Sequence, residues 1–162
     1  MVSTEDRLAA LEKRVQAAED ELEIIRLISS YAPAVDSGSN HAAACLWVEA
    51  GVYDVGGFSP AVGRESIAAR IDLGQDLAAR DRGYGHLLSI PHITLNGDTA
   101  EAVNYSFAFV RKDNENKWEF ERASANHWVL TRTNDGWRIL ERFNRLLDGS
   151  QISRDTLQKA LR

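Results

Sequence analysis

Between residues 4 and 35, apolar side chains recur at alternating steps of three and four. Leu8, Leu11, Val15, Ala18, Leu22 and Ile25 form one stripe, the seam of a coiled coil or of a helix docked along one edge. Glutamate, lysine and arginine fill much of the remainder. From Ile24 and Ile25 onward the apolar face passes to Leu27, Ile28, Tyr31 and Val35. The pattern predicts one helix over 4–35, kinked or restarted between Ser29 and Pro33, because proline lacks the amide hydrogen an inner turn requires. Asp36-Ser37-Gly38 ends it with turn chemistry. A helix that long outruns what a small domain can cover. Residues 4–22 are therefore expected to protrude and contact another subunit, although an amphipathic helix folded on its own domain accounts for the stripe equally well.

The pattern then shortens. Asn40 can cap a second helix over 41–49, with Ala44, Cys45, Trp47 and Val48 on its inward face. A strand at 51–55 follows, then the loop 56–60. A third helix over 64–80 carries Ile67, Ala68, Ile71 and Leu77 on one side, and 80–83 is a solvated connection. Strands at 86–95 and 99–111 flank Asn96-Gly97-Asp98, a hairpin signal, and turns at 113–116 and 134–136 introduce strands at 117–132 and 137–146. Ser153 is placed to cap a terminal helix ending at Leu161. Helices first and a four-stranded antiparallel meander second make an α+β order. The expected fold is a cone-shaped, curved antiparallel sheet wrapped around the long helix and two shorter ones, enclosing an apolar pocket.

Composition narrows the options. The 162 residues suit one domain over 1–162, and 44% hydrophobic residues suffice for a core. A formal charge of −5 without a basic stripe argues against nucleic acid as a partner. The single cysteine, Cys45, rules out an internal disulfide and a cysteine-based zinc site, and reads as a small apolar residue on a buried helix face. The charged N-terminus and the lack of any stretch of transmembrane length lead to the expectation of a cytoplasmic protein without a membrane partner.

No nucleotide loop, nucleophile elbow or zinc helix motif is present. The histidines, His41, His86, His92 and His127, have no carboxylate or second histidine at ligand spacing, so neither a metal nor a cofactor is expected. Acid–base work by histidine and aspartate remains. His86 opens a long strand after Gly83-Tyr84-Gly85, and Asp36 ends the first helix. A carboxylate on one imidazole nitrogen would fix the tautomer and leave the other nitrogen as base. Read alone, however, Asp36 is equally a helix-terminating turn residue and His86 a solvated turn histidine. Tyr31 could donate to a substrate oxygen or simply fill the core. His92 alternates in phase with His86 unless Pro91 introduces a bulge. Asn104, Ser106 and Ala108 are small enough to line a cavity, Asn126 and Trp128 share one face of their strand, and Arg142 and Arg145 could anchor an anion.

The stretches Ile24–Asp36 (IIRLISSYAPAVD), Tyr53–Val55, Val62–Ile67 (VGRESI), Gly85–Asp98 (GHLLSIPHITLNGD) and Gly136–Arg142 (GWRILER), taken in this order, resemble the SnoaL-like branch of the nuclear transport factor two superfamily. In active-site pattern the chain looks like the dehydratase group, which includes bile-acid 7α-dehydratase, scytalone dehydratase and hexachlorocyclohexane dehydrochlorinase. That resemblance implies a cofactor-independent lyase, or an isomerase running the same proton chemistry, with catalytic Asp36, His86 and Tyr31. It also implies a substrate site drawn from Trp47, Tyr53, Phe58, Leu88, Asn104, Asn126, Trp128 and Arg145, the last matched with a one-residue offset. Trp47, Tyr53, Phe58, Ile71 and Leu88 would suit a small hydrophobic substrate, polycyclic ones included. The expected assembly is a homo-oligomer, dimer or trimer. The Asp–Arg–Asp set of limonene epoxide hydrolase and the acid–tyrosine oxyanion hole of ketosteroid isomerase have no match here. Relatives of this fold also serve as non-catalytic ligand-binding or assembly domains, or as small subunits of ring-hydroxylating dioxygenases. Those roles would leave Asp36 and His86 apart or the cavity filled.

Overall fold

A computed structural model describes residues 2–73, 83–112 and 117–161. Helix α1, Thr4–Asp36, begins with a capping box in which Ser3 and Asp6 satisfy each other's backbone amides. It runs through Pro33 without a restart, and Ser37 and Gly38 close it. Only its second half is buried: Asp20, Ile24, Ile28, Tyr31, Ala32 and Val35 face the body, whereas residues 4–19 are exposed throughout.

Helix α2 covers Asn40–Ala44, shorter than the predicted 41–49, because Trp47 already begins strand β1, Trp47–Val55. Trp47 is fully buried in that strand, and the apolar run 43–48 serves helix and strand in turn. Cys45 is exposed at the junction instead of lying on a buried face. Ser39, not Asn40, holds the cap position, and Asn40 bonds to Asp72. Strand β2, Ala61–Val62, was not anticipated. Helix α3 is Arg64–Leu73; the rest of the predicted helix (74–80), the connection at 80–82 and the turn at 113–116 lie outside the described residues.

The predicted strand 86–95 is two strands, β3 (Tyr84–Leu88) and β4 (His92–Asn96), separated around Pro91, which cannot donate to a ladder. Strands β5 (Thr99–Lys112), β6 (Lys117–Thr133) and β7 (Gly136–Leu146) form the long meander, and helix α4 (Gln151–Gln158) follows, capped by Ser150 and not by Ser153. The sheet runs β2-β1-β7-β6-β5-β3, with β4 also on β5. It is mixed, since β1 pairs parallel to β7. Register shifts on β1, on the β5–β6 ladder and between Val129 and Leu130 against β7 bend it. The resulting curved, open sheet wraps α1.

Trp128, Leu130, Trp137 and Ile139 from the concave face meet Ile24, Ile28, Tyr31 and Val35 of α1. Each of these large apolar side chains contributes about 1.5–3 kcal/mol by leaving water. Helix α4 covers the convex face of β6 and β7.

The β6–β7 turn is tied to α1 through Glu23, whose Oε1 accepts the Trp137 amide at 2.8 Å. Gly136 adopts φ 93°, and a Cβ there would run into the same Glu23 oxygen. Gly136→Ala is therefore expected to cost about 2 kcal/mol from the left-handed backbone and the displaced carboxylate together. In a urea titration the midpoint should fall without a change in slope; an unchanged midpoint would show that the turn relaxes freely.

Candidate active site

Asp36 is the last residue of α1, and His86 lies in β3 opposite Ala108 of β5, a pairing that leaves room beside the ring. Asp36 Oδ1 is 2.6 Å from His86 Nδ1, and Asp36 Oδ2 accepts the His86 backbone amide at 2.8 Å. The carboxylate thus grips the residue at two points. Side-chain exposures of 23% for Asp36 and 11% for His86 keep the pair within reach of solvent yet partly desolvated. With the Nδ1 proton committed to the carboxylate, Nε2 carries the free lone pair. Tyr84 meets the ring edge-on at 5.0 Å, and burial pushes its phenol up to about 12.

His86 lines a cavity of about 180 Å³ whose apolar wall includes Val35, Val55, Phe58 and Ile71, with Tyr31, Tyr53, Arg70 and Arg122 as its polar members. A second cavity of about 30 Å³ shares Tyr31, Tyr53 and His86 with it and reaches Ser106, Arg142 and Asn144. At that volume it admits about one water molecule or one ligand oxygen. Tyr31 Oη lies 3.5 Å from Tyr53 Oη. Burial, and secondarily Tyr53, raise the Tyr31 phenol above its ordinary value, so it stays protonated and can donate.

Arg142, which the sequence offers together with Arg145 as an anion anchor and which the resemblance leaves out of the substrate site, lines the smaller cavity beneath Tyr31. Its guanidinium stacks 4.0 Å from the Tyr31 ring centroid and 4.3 Å from that of Trp128. Nε and Nη2 donate to Asn126 Oδ1 at 3.2 and 2.8 Å, while Nη1 is buried without an acceptor among the described residues. The β6–β7 bulge explains this placement. Trp137 and Ile139 point inward, Leu140 is the extra residue, and the inward phase then passes to Arg142 and Asn144. Arg145 consequently lies on the opposite face, bonded to Asp54 Oδ2 at 2.8 Å.

Of the other expected substrate contacts, Tyr53 and Phe58 line the larger cavity. Trp47, Leu88, Asn104, Asn126 and Trp128 are placed elsewhere. Trp47 and Trp128 belong to the fully buried core, and Leu88 packs against its edge. Asn104 accepts Trp128 Nε1 at 2.9 Å and donates to Ser89 O, and Asn126 binds Arg142 and Asn144. These asparagines brace the groups that form the wall. Arg70 and Arg122 went unnoticed, although Arg122 alternates in phase with Ser124 and Asn126 and could have been read from that phase.

His127 faces the convex side, its Nε2 2.7 Å from Glu101 and its ring stacked on Phe143. Burial holds its pKa below the ordinary histidine value. His92, on β4, is exposed and does not share a strand with His86. Among the described residues, no group of three or more histidine, cysteine or acidic side chains could hold a metal ion, and no helix is long and apolar enough to cross a membrane.

A bent mixed sheet wrapped on one long helix defines the cystatin-like α+β fold. The model of the SnoaL-like domain matches residues 16–143, and the chain belongs to that family. Among solved structures it is similar to a nuclear transport factor two-like protein with a cystatin-like fold from Novosphingobium aromaticivorans, at 42% identity over 98% of this chain and 99% of that one, with a TM-score of 0.87. It shares its fold with ActVI-ORFA from Streptomyces coelicolor (19% identity, 80% and 97% covered, TM-score 0.68). The same holds for a putative aromatic ring hydroxylase from Novosphingobium aromaticivorans (24% identity, 80% and 90% covered, TM-score 0.65). No curated protein matches the chain.

Proposed function

We propose that the chain is a cofactor-independent lyase of the dehydratase type, or an isomerase using the same proton transfer, acting on a small hydrophobic substrate. The observation that carries this reading is the 2.6 Å contact of Asp36 with His86 beside a cavity whose wall is largely apolar. His86 Nε2 takes a proton from the carbon next to a carbonyl. The electron pair left on that carbon is delocalised onto the carbonyl oxygen and then expels a β-hydroxyl group. The departing hydroxyl recovers a proton from the imidazolium and leaves as water. Returning the proton to a different carbon instead completes an isomerisation.

Asp36 orients the ring and stabilises the imidazolium. Tyr31 donates to the departing or developing oxygen, and the positive charge of Arg142 beneath it favours negative charge there. A purely ligand-binding role would not require a carboxylate clamped on an imidazole at the cavity wall. The test is a screen of hydrophobic β-hydroxy-ketones with the wild-type protein, followed by mass spectrometry for loss of water and by proton exchange at the α-carbon. Turnover or exchange by wild type, absent in His86→Ala, is expected. Tight binding of such compounds with neither elimination nor exchange would sink the catalytic reading.

A further inference from the structure

The exposed half of α1 carries a pattern that the site does not use. Leu8, Leu11, Val15 and Leu22 are 57%, 52%, 55% and 51% exposed. They lie on a different side of the helix from Asp20, Ile24 and Ile28, which face the body. With Leu8, Val15 and Leu22 at the first position of a seven-residue repeat, Leu11, Ala18 and Ile25 take the fourth. The two positions flanking this seam decide which partner fits it. On one flank stand Arg7, Arg14 and Glu21; on the other stand Glu5, Glu12, Glu19 and Arg26. All seven are exposed.

In a parallel, in-register pair of helices, each residue of the first flank meets the residue five places later on the partner. This chain then gives Arg7 with Glu12, Arg14 with Glu19, and Glu21 with Arg26, each with opposite charges and each occurring twice. An antiparallel pair with the seam fully overlapped sets like flanks together: Glu5 then meets Arg26 and Arg14 meets Glu21, but Glu12 meets Glu19, a like-charge contact that occurs twice. Every flanking pair is attractive only in the parallel orientation, which the charge pattern therefore favours.

We propose that residues 4–26 form a parallel, two-stranded coiled coil with the same segment of a second copy of this chain. The bodies hang outward from the seam because α1 presents a different face to its own sheet. None of residues 4–26 lines the cavity beside His86, so the pairing joins the domains without building the proposed site.

Sedimentation equilibrium on the full chain at tens of micromolar is expected to give a dimer. Val15→Asp should weaken it roughly a hundredfold or more by placing two carboxylates in the seam, with the thermal melt of the body little changed, since Val15 lies in the exposed half of α1 and outside the buried core. Glu12→Arg with Glu19→Arg should also weaken the dimer, and adding Arg7→Glu with Arg14→Glu should restore it. Orientation is read by oxidation in a Cys45→Ser background. Leu8→Cys and Leu22→Cys should each cross-link to its own kind. A monomeric or trimeric wild type, a dimer that survives Val15→Asp, or cross-linking only in a mixture of Leu8→Cys with Leu22→Cys would overturn the proposal.

Discussion

His86→Ala is expected to lower kcat/KM by about a thousandfold on any substrate the wild type turns over, the middle of the range for removing a positioned general base. Binding should survive, because the wall contributed by Val35, Val55, Phe58 and Ile71 is untouched. Asp36→Asn should give a loss of similar order. The carboxamide can keep a hydrogen bond to the ring but cannot stabilise an imidazolium, and its NH2 group can turn toward Nδ1 and impose the wrong tautomer. If the two residues act as a unit, the double variant will be scarcely worse than either single one. Neither substitution strands a fully buried charge, since both side chains retain solvent contact, so near-normal melting is expected and separates lost chemistry from lost folding. Steady-state kinetics on the three variants decide the matter; wild-type kcat/KM in His86→Ala would remove His86 from the mechanism.

Much of this arrangement was legible in the residue pattern because it depends on local signals. The three-and-four spacing gave α1 and the Asn-Gly and Asp-Gly turns gave the meander; Asp36 does end α1, whereas His86, read as the opening of a long strand, is the middle residue of the five-residue β3. Other features depend on registers set between strands. The choice of Arg142 over Arg145 follows from a single extra residue at Leu140, and nothing in the local sequence marks a bulge there. Asn104 reads as cavity lining because it is small, and Asn126 enters the expected substrate site through the family resemblance. They prove to be braces because Trp128 and Arg142 need partners when buried. Residues 43–48 are apolar without a clear period, so helix and strand could not be told apart there. Asp20 also clamps Arg132 in a two-pronged salt bridge, and the sequence hid it for another reason: the partners lie 112 residues apart, and no local pattern connects them.

That clamp should also be the largest single polar contribution to stability. Asp20 is 5% exposed at the point where α1 leaves the body. Its two oxygens take Arg132 Nη1 and Nη2 at 2.9 and 2.6 Å, and Oδ1 also accepts from Trp137 Nε1 and Gln16 Nε2. Asp20→Ala leaves Arg132 with only Asp98 and the Trp137 ring, and removes the buried acceptor of Trp137 Nε1. The expected loss is about 3 kcal/mol, the low end for breaking a buried pair, because Arg132 can still turn toward water. The pH dependence has a definite sign. The hydrogen bonds from Arg132 hold the Asp20 pKa below the ordinary carboxylate value. Its contribution is therefore full above the unfolded value of about 3.9 and is lost as pH falls through the lower folded value. Urea titrations of wild type and Asp20→Ala should differ by a constant amount between about pH 5 and 8, and the gap should begin to narrow only as pH falls below about 4, closing through the lower folded value. Protein concentration must be matched, because dimerisation through the same helix would add to the apparent stability of both forms. A gap that persists undiminished in acid would mean that Asp20 acts by packing and not by charge.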